Sequence, residues 1–233
     1  MLERLLPAGP CHQVRVRCSQ RADGDFHVDL PADELAARRQ AFAPGEWTWF
    51  RQVHGSTVVC VTEPGGGSGA DADAGVTDVV GAVLAVQTAD CVPVVMSADG
   101  AFAVVHAGWR GVVEGVIPAA TAALRSRASG DITAFVGPHI RASRYAFGAR
   151  DLDAVAAVAG EGVRSITHDG EPALDMTAAV RSVLAGERVG IVEMLDADTA
   201  DSGWFSHRVR GDRERQVTVA WLETVAASEE GHP

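Results

Sequence analysis

Three short clusters hold the side chains best suited to chemistry. Arg51-Gln52-Val53-His54-Gly55 sets an imidazole beside a glycine, where the absent side chain lets another group approach the backbone. Gln87-Thr88-Ala89-Asp90-Cys91-Val92-Pro93 puts a thiol next to a carboxylate, in a polar break between apolar runs. A neighbouring carboxylate raises a thiol's pKa, and a metal binding Cys91 as thiolate would relieve that tension. His106-Ala107-Gly108-Trp109-Arg110-Gly111 ends an apolar run with a second imidazole. Its Arg110 suits two parallel hydrogen bonds to a phosphate or carboxylate.

Each cluster also has an ordinary reading. His54 can be a solvated turn residue, Cys91 a small buried hydrophobe, and His106 a satisfied core histidine with Arg110 in an ion pair. Together, His54, Cys91 and His106 admit three chemistries. Two imidazoles and one thiolate suit a catalytic zinc with its fourth position open. A blue-copper site would use the same three with a weak axial ligand. A Cys–His hydrolase dyad would use the thiol and leave one histidine over. The separations of 37 and 15 residues put the three on different strands and do not choose among these.

The chain that must position them has 233 residues, 47% of them apolar and 22% charged, enough for a substantial core. Val14 to Cys18 alternates as a half-buried strand does, and Ala32 to Ala43 reads as a helix. Strands at 47–52 and 58–61 should flank a His54-Gly55 turn, followed by a Gly-rich loop over 63–75 that holds Asp71 and Asp73. Short Val-rich runs at 82–86, 92–96 and 102–105 predict buried strands. A helix is expected over 112–127, kinked or restarted by Pro118. Further strands fall at 132–136 and 216–222, and helices at 150–159 and 177–184. Beyond 226 the polar composition predicts a frayed tail. One domain over residues 1–233 is the simplest organisation.

Composition narrows the function. All 20 basic residues are Arg, against 31 acids, for a net charge of −11, and the chain has neither Lys nor Asn. That excludes Lys Schiff bases, Lys-dependent phosphate loops and N-glycosylation acceptors. An acidic chain without a basic stripe predicts no nucleic-acid partner. Four scattered cysteines match no disulfide scaffold, and no apolar run reaches membrane-spanning length. With an N-terminus unlike a signal peptide, a cytoplasmic location without membrane association is expected. Oligomeric state is not legible, and a monomer is compatible with the sequence.

The motifs resemble the laccase-domain family, long called multicopper polyphenol oxidase and now described as purine nucleoside phosphorylase. The resemblance rests on Gln52-Val53-His54-Gly55, Thr88-Ala89-Asp90-Cys91 with Pro93, and His106 to Gly111. It continues through Asp73 to Thr77, Gly137-Pro138-His139-Ile140, Tyr145 with Phe147-Gly148, Leu174-Asp175-Met176, Phe205 to Arg208 and Arg215-Gln216. Three positions depart from the family pattern. Ala146 stands where a Glu is usual, Asp198-Thr199 replaces a Cys-Thr pair, and Glu214 replaces a Gly. These bear on substrate preference and rate; the three metal positions are intact.

The resemblance implies an α+β fold, an α/β/β/α-type sandwich of mixed sheets flanked by helices, distantly similar to Cys-His hydrolase toxins. It implies zinc on His54, Cys91 and His106, with copper as the older alternative. The implied reaction is phosphorolysis of adenosine, inosine and methylthioadenosine, with adenosine deamination as a second activity. Older descriptions give copper-dependent phenol oxidation, and some members are associated with editing peptidoglycan precursors, for which a cysteine hydrolase would suffice. Phosphorolysis needs cations for a phosphate dianion, and Arg51, Arg110 and Arg208 are the expected ones. Gln87 and Asp73 are expected to touch substrate, and Asp90 to act with Cys91, His54 and His106 in catalysis, as a proton donor.

Overall fold

The continuous Val-rich runs become strands because the sheet they build is covered on both faces, so every side chain meets protein. In the computed structural model, which describes residues 1–225, the order begins β1 (Leu2–Pro7), β2 (His12–Cys18), α1 (Ala32–Phe42), β3 (Trp47–Arg51), β4 (Val58–Cys60), β5 (Ala70–Asp71) and β6 (Ala74–Thr77). It continues with β7 (Val83–Thr88), β8 (Val92–Ala98), β9 (Ala101–Ala107), α2 (Trp109–Glu114), α3 (Val116–Arg125), β10 (Thr133–Val136) and α4 (Ala149–Ala159). The last elements are β11 (Arg164–Ile166), β12 (Pro172–Leu174), α5 (Met176–Gly186), β13 (Gly190–Met194), α6 (His207–Arg210) and β14 (Gln216–Thr224).

Two six-stranded mixed sheets result, ordered β1-β2-β14-β7-β3-β5 and β13-β10-β8-β9-β6-β4. Phe50, Leu84, Val95, Phe102, Val104 and Phe135 fill the space between them. On the outer face of the second sheet, Val94, Met96 and Val105 pack against Ile117 and Leu124 of α3, Leu152 of α4 and Val180 of α5. On the outer face of the first, Trp47, Val83 and Trp221 meet Leu35 and Phe42 of α1. The four layers are the α/β/β/α sandwich that the resemblance implies. The first sheet is half open where β1, β2 and β14 meet. There Arg15 and Arg17 alternate outward with buried Val14 and Val16, and pair with Glu3 and Glu223.

Several expectations change in detail. The helix over 112–127 is two helices, broken at Gly115, whose φ of 84° is left-handed. Pro118 sits harmlessly in the first turn of α3, where no intrahelical N–H bond is lost. The strands on either side of His54-Gly55 are not a hairpin. β3 pairs parallel to β7 in the first sheet, and β4 pairs parallel to β6 in the second. The 63–75 loop contains β5 and the start of β6. β1, β13, the small β11–β12 pair and α6 carry no pattern that the sequence reading picked up. The expected tail beyond 226 lies outside the described residues. No helix among the described residues is long and apolar enough to cross a membrane.

Candidate metal and substrate site

The chain crosses between the sheets three times at one rim, at the β3–β4, β5–β6 and β7–β8 connections. Two of the crossings carry a candidate ligand, while the β5–β6 one carries Asp73. The β3–β4 connection holds His54; the β7–β8 connection holds Asp90 and Cys91. His106 is the next-to-last residue of β9. His54 and Asp90 have φ of 60° and 92°, two of the three non-glycine residues with positive φ among those described. Such strain persists where the surroundings over-determine it, and it concentrates at functional sites. The donor atoms of His54, Cys91 and His106 all lie within 4.8 Å of one another, and no second group of this kind forms among the described residues. Cys91 Sγ is 3.8 Å from His54 Nε2. Gly108 makes room for the cluster: a Cβ there would stand 2.6 Å from His54 Cδ2 and 3.3 Å from Cys91 Sγ.

Asp73 organises this cluster from beneath. It is fully buried, and its Oδ1 accepts from His106 Nδ1 at 2.7 Å and from the His54 N–H at 3.0 Å. Its Oδ2 accepts from the N–H groups of Gly55 (2.7 Å) and Val53 (3.2 Å). One carboxylate thus sets the His106 ring and the whole His54 turn. With Nδ1 engaged, His106 offers Nε2 as a ligand, the usual carboxylate–histidine–metal arrangement. Asp73 was expected to touch substrate; its burial makes it a positioning residue instead.

The charges agree with that geometry. Burial raises the Asp73 pKa, but the His106 imidazole and the Gly55 and His54 amides outweigh it and hold the carboxyl below its usual range. Burial also raises the Cys91 thiol, yet His106 and His54 bring it down to about 6. Burial lowers His106, while Cys91 and Asp73 lift it to about 9. An ionised thiolate between two imidazoles, backed by a carboxylate, fits a divalent ion of borderline softness.

A cavity of about 630 Å³ opens over the cluster, of a size that holds small-molecule ligands. Arg51, Arg110 and Arg208 all line it, as do Gln52, Asp90, Trp109 and Tyr145. Arg215, His27 and His207 line it too, although the sequence reading did not select them. Arg215 and His207 stand within quoted motifs and were legible in principle; His27 lies in a stretch without one. Arg51 is ion-paired with Asp71 at 3.3 Å, and both are largely exposed. Arg110 lies 4.5 Å over the Trp109 ring, and Arg208 lies 4.4 Å over Tyr145. Among the described residues Arg110, Arg208 and Arg215 form no salt bridge.

Two other expectations shift. Gln87 does not line the cavity. Its backbone N–H and C=O are both engaged by the Gln52 side chain, at 2.7 Å each, and Gln52 reaches the wall instead. Asp90 does line the cavity, but Oδ1 accepts from Thr199 Oγ1 (2.8 Å) and Oδ2 from the Arg208 N–H (2.7 Å). Its carboxylate is committed to acceptor bonds.

Fold and site define a class: a four-layer α/β/β/α sandwich with a His–Cys–His centre beneath an arginine-rimmed cavity. The chain belongs to the multi-copper polyphenol oxidoreductase laccase family, whose model matches residues 18–223. It is 36% identical over 213 residues to a Mycobacterium tuberculosis protein named purine nucleoside phosphorylase, covering 86% of this chain and 84% of the relative. A Streptomyces coelicolor protein with the same name is 34% identical over 200 residues, covering 82% of this chain and 81% of the relative. Among solved structures, a Neisseria meningitidis protein aligns with a TM-score of 0.80 at 25% identity, over 95% of this chain and 99% of that one. A Bacillus licheniformis hypothetical protein shares the fold with a TM-score of 0.80 at 20% identity, over 94% of this chain and 99% of that one.

Proposed function

We propose that this chain is a zinc-dependent purine nucleoside phosphorylase, acting on adenosine, inosine and methylthioadenosine, with adenosine deamination as a second activity. The observation that carries the reading is a His–Cys–His cluster on the floor of a cavity whose wall holds three arginines free of carboxylates, in a chain of net charge −11. The names of the relatives support it.

In this reading phosphate attacks the anomeric carbon of the ribose as the purine departs. Arg110, Arg208 and Arg215 hold the phosphate dianion, and bidentate guanidinium contacts orient it. Trp109 and Tyr145 give flat walls for the base and sugar. Burial pushes the Tyr145 phenol up, so it keeps its proton and can donate to the departing base. Asp73 fixes the two histidines, and Asp90 fixes the backbone at Arg208. Zinc held by His54, Cys91 and His106 would supply Lewis acidity toward a polar substrate atom.

The proximity of Cys91 to His54 also supports a cysteine hydrolase acting on a cell-wall precursor. Copper-dependent phenol oxidation ranks lower. Four-electron reduction of dioxygen calls for several coppers, and the described residues assemble one cluster. Incubation of purified protein with inosine, with and without phosphate, tests the proposal. Phosphate-dependent release of hypoxanthine is expected, and base release indifferent to phosphate sinks phosphorolysis. Elemental analysis of the same preparation should return zinc. Cys91→Ser should lose the metal and reduce activity roughly a hundredfold or more. Alkylation of Cys91 that ignores chelator would favour the hydrolase.

A further inference from the structure

Arg208 is held more firmly than Arg51 and Arg110, and unlike Arg215, whose Nη1 turns back to the carbonyls of its own loop, it is tied to the segments around Asp90 and Ala146. Arg51 projects into solvent against Asp71, and Arg110 has only the Trp109 ring beneath it. Arg208 is fixed at three points: its backbone N–H donates to Asp90 Oδ2 at 2.7 Å, its guanidinium lies 4.4 Å over Tyr145, and its Nη1 donates to the Ala146 carbonyl at 2.5 Å. With Nη1 engaged, Nε and Nη2 are left together on one edge, the fork that matches two oxygens of a phosphate. Neither has a protein acceptor among the described residues.

Asp90 carries the first of those points, and Thr199 in turn holds Asp90. Thr199 is fully buried, and its hydroxyl donates to Asp90 Oδ1 at 2.8 Å. Asp90 keeps a left-handed φ of 92°, so its side-chain direction depends on what grips it. The backbone ties are arranged to match: Ile140 N–H donates to the Asp90 carbonyl at 3.1 Å, and Thr199 N–H to the His139 carbonyl at 3.3 Å. Two separate stretches of chain thus meet on one carboxylate: Thr199 holds Oδ1, and Oδ2 places the Arg208 backbone.

We infer that Thr199, acting through Asp90, is the positioning residue for a phosphate site whose principal cation is Arg208. The inference rests on the phosphorylase reading for its choice of anion and is tested without it. Binding of inorganic phosphate to the metal-loaded protein is measured by calorimetry in the absence of nucleoside, alongside the KM values for phosphate and inosine. Thr199→Val, which exchanges a hydroxyl for a methyl, should weaken phosphate binding about tenfold and raise the phosphate KM by the same factor. The KM for inosine should stay within twofold, Thr199→Ser should bind as the parent does, and Arg208→Gln should abolish phosphate binding. If Thr199→Val does not fold, Thr199→Ala takes its place with the same expected split.

Unchanged phosphate binding in Thr199→Val overturns the inference, even where inosine phosphorolysis is confirmed. So does equal weakening by Thr199→Ser, or a parallel rise in both KM values, since either indicates packing rather than a directed hydrogen bond. A parent protein that binds phosphate, responds to Thr199→Val and yet releases no base with phosphate upholds this site and overturns the phosphorylase reading. A parent that binds no phosphate overturns both.

Discussion

His106 and His139 are both buried, and the segments that carry them both meet Pro93 of β8. His106 faces Pro93 across the β8–β9 ladder, and the residue two before His139, Gly137, donates its N–H to the Pro93 carbonyl. Their titrations move in opposite directions. Burial lowers both, but His106 has the Cys91 thiolate and the Asp73 carboxylate beside it and is lifted to about 9. His139 has the Arg141 guanidinium instead, with its Nδ1 bonded to the Gly137 carbonyl and its Nε2 near Thr177 Oγ1, and it falls to about 4. Burial therefore does not mark a functional histidine; the charge of what surrounds it does. One ring lies between anions that favour a positive charge, and the other lies beside Arg141, which keeps it neutral while its segment braces the chain near Asp90.

The contrast breaks most sharply at Asp73. Asp73→Asn leaves one acceptor oxygen for four donors and turns an amide N–H toward the others. It should lower metal affinity about 10–100-fold and cost roughly 3 kcal/mol of stability. Chelator competition and urea unfolding measure the two, and parental metal affinity in this variant would show that the carboxylate does not set His106. The flanking glycines give a smaller, paired effect. Gly108→Ala pushes a methyl into His54 and should lower metal affinity about tenfold. Gly137→Ala places its methyl 2.8 Å from Pro93 Cγ and should cost about 1–3 kcal/mol while leaving metal affinity alone. If both variants lost metal equally, the two histidines would not be separable.

The smallest effect is in acid. His139 titrates at 6.5 in the unfolded chain and about 4 in the folded one, so the unfolded state binds more protons between those values. Its neutral form supports the fold fully above 6.5, and that support is lost as pH falls through about 4. The urea midpoint should decline over this window. His139→Gln, though weaker at neutral pH, should show a flatter profile there; an equally steep decline would assign the acid sensitivity elsewhere.

Much of the site was legible before the fold. His54, Cys91 and His106 sit in short motifs whose residue types already suit a metal, and three arginines selected from the motifs reach the cavity. What was not legible is how side chains divide labour. Asp73 and Gln87 stand beside motif residues as substrate contacts would, yet Asp73 faces inward to four donors and Gln87 offers only its backbone to Gln52. Such roles depend on which sheet face a residue takes, and a β3–β4 segment read only as two strands flanking a turn does not show that its strands belong to different sheets. β8 and β9 were clear because they are buried on both faces. β1 and β13 were not, because edge strands carry mixed polarity.

Two of the three donors ride on the links that take the chain from one sheet to the other. The cluster therefore lies at the seam where the chain passes between the two halves of the sandwich. An ion with affinity for the finished cluster alone would act as a rivet along that rim, and would slow the parting of the sheets more than it speeds their docking.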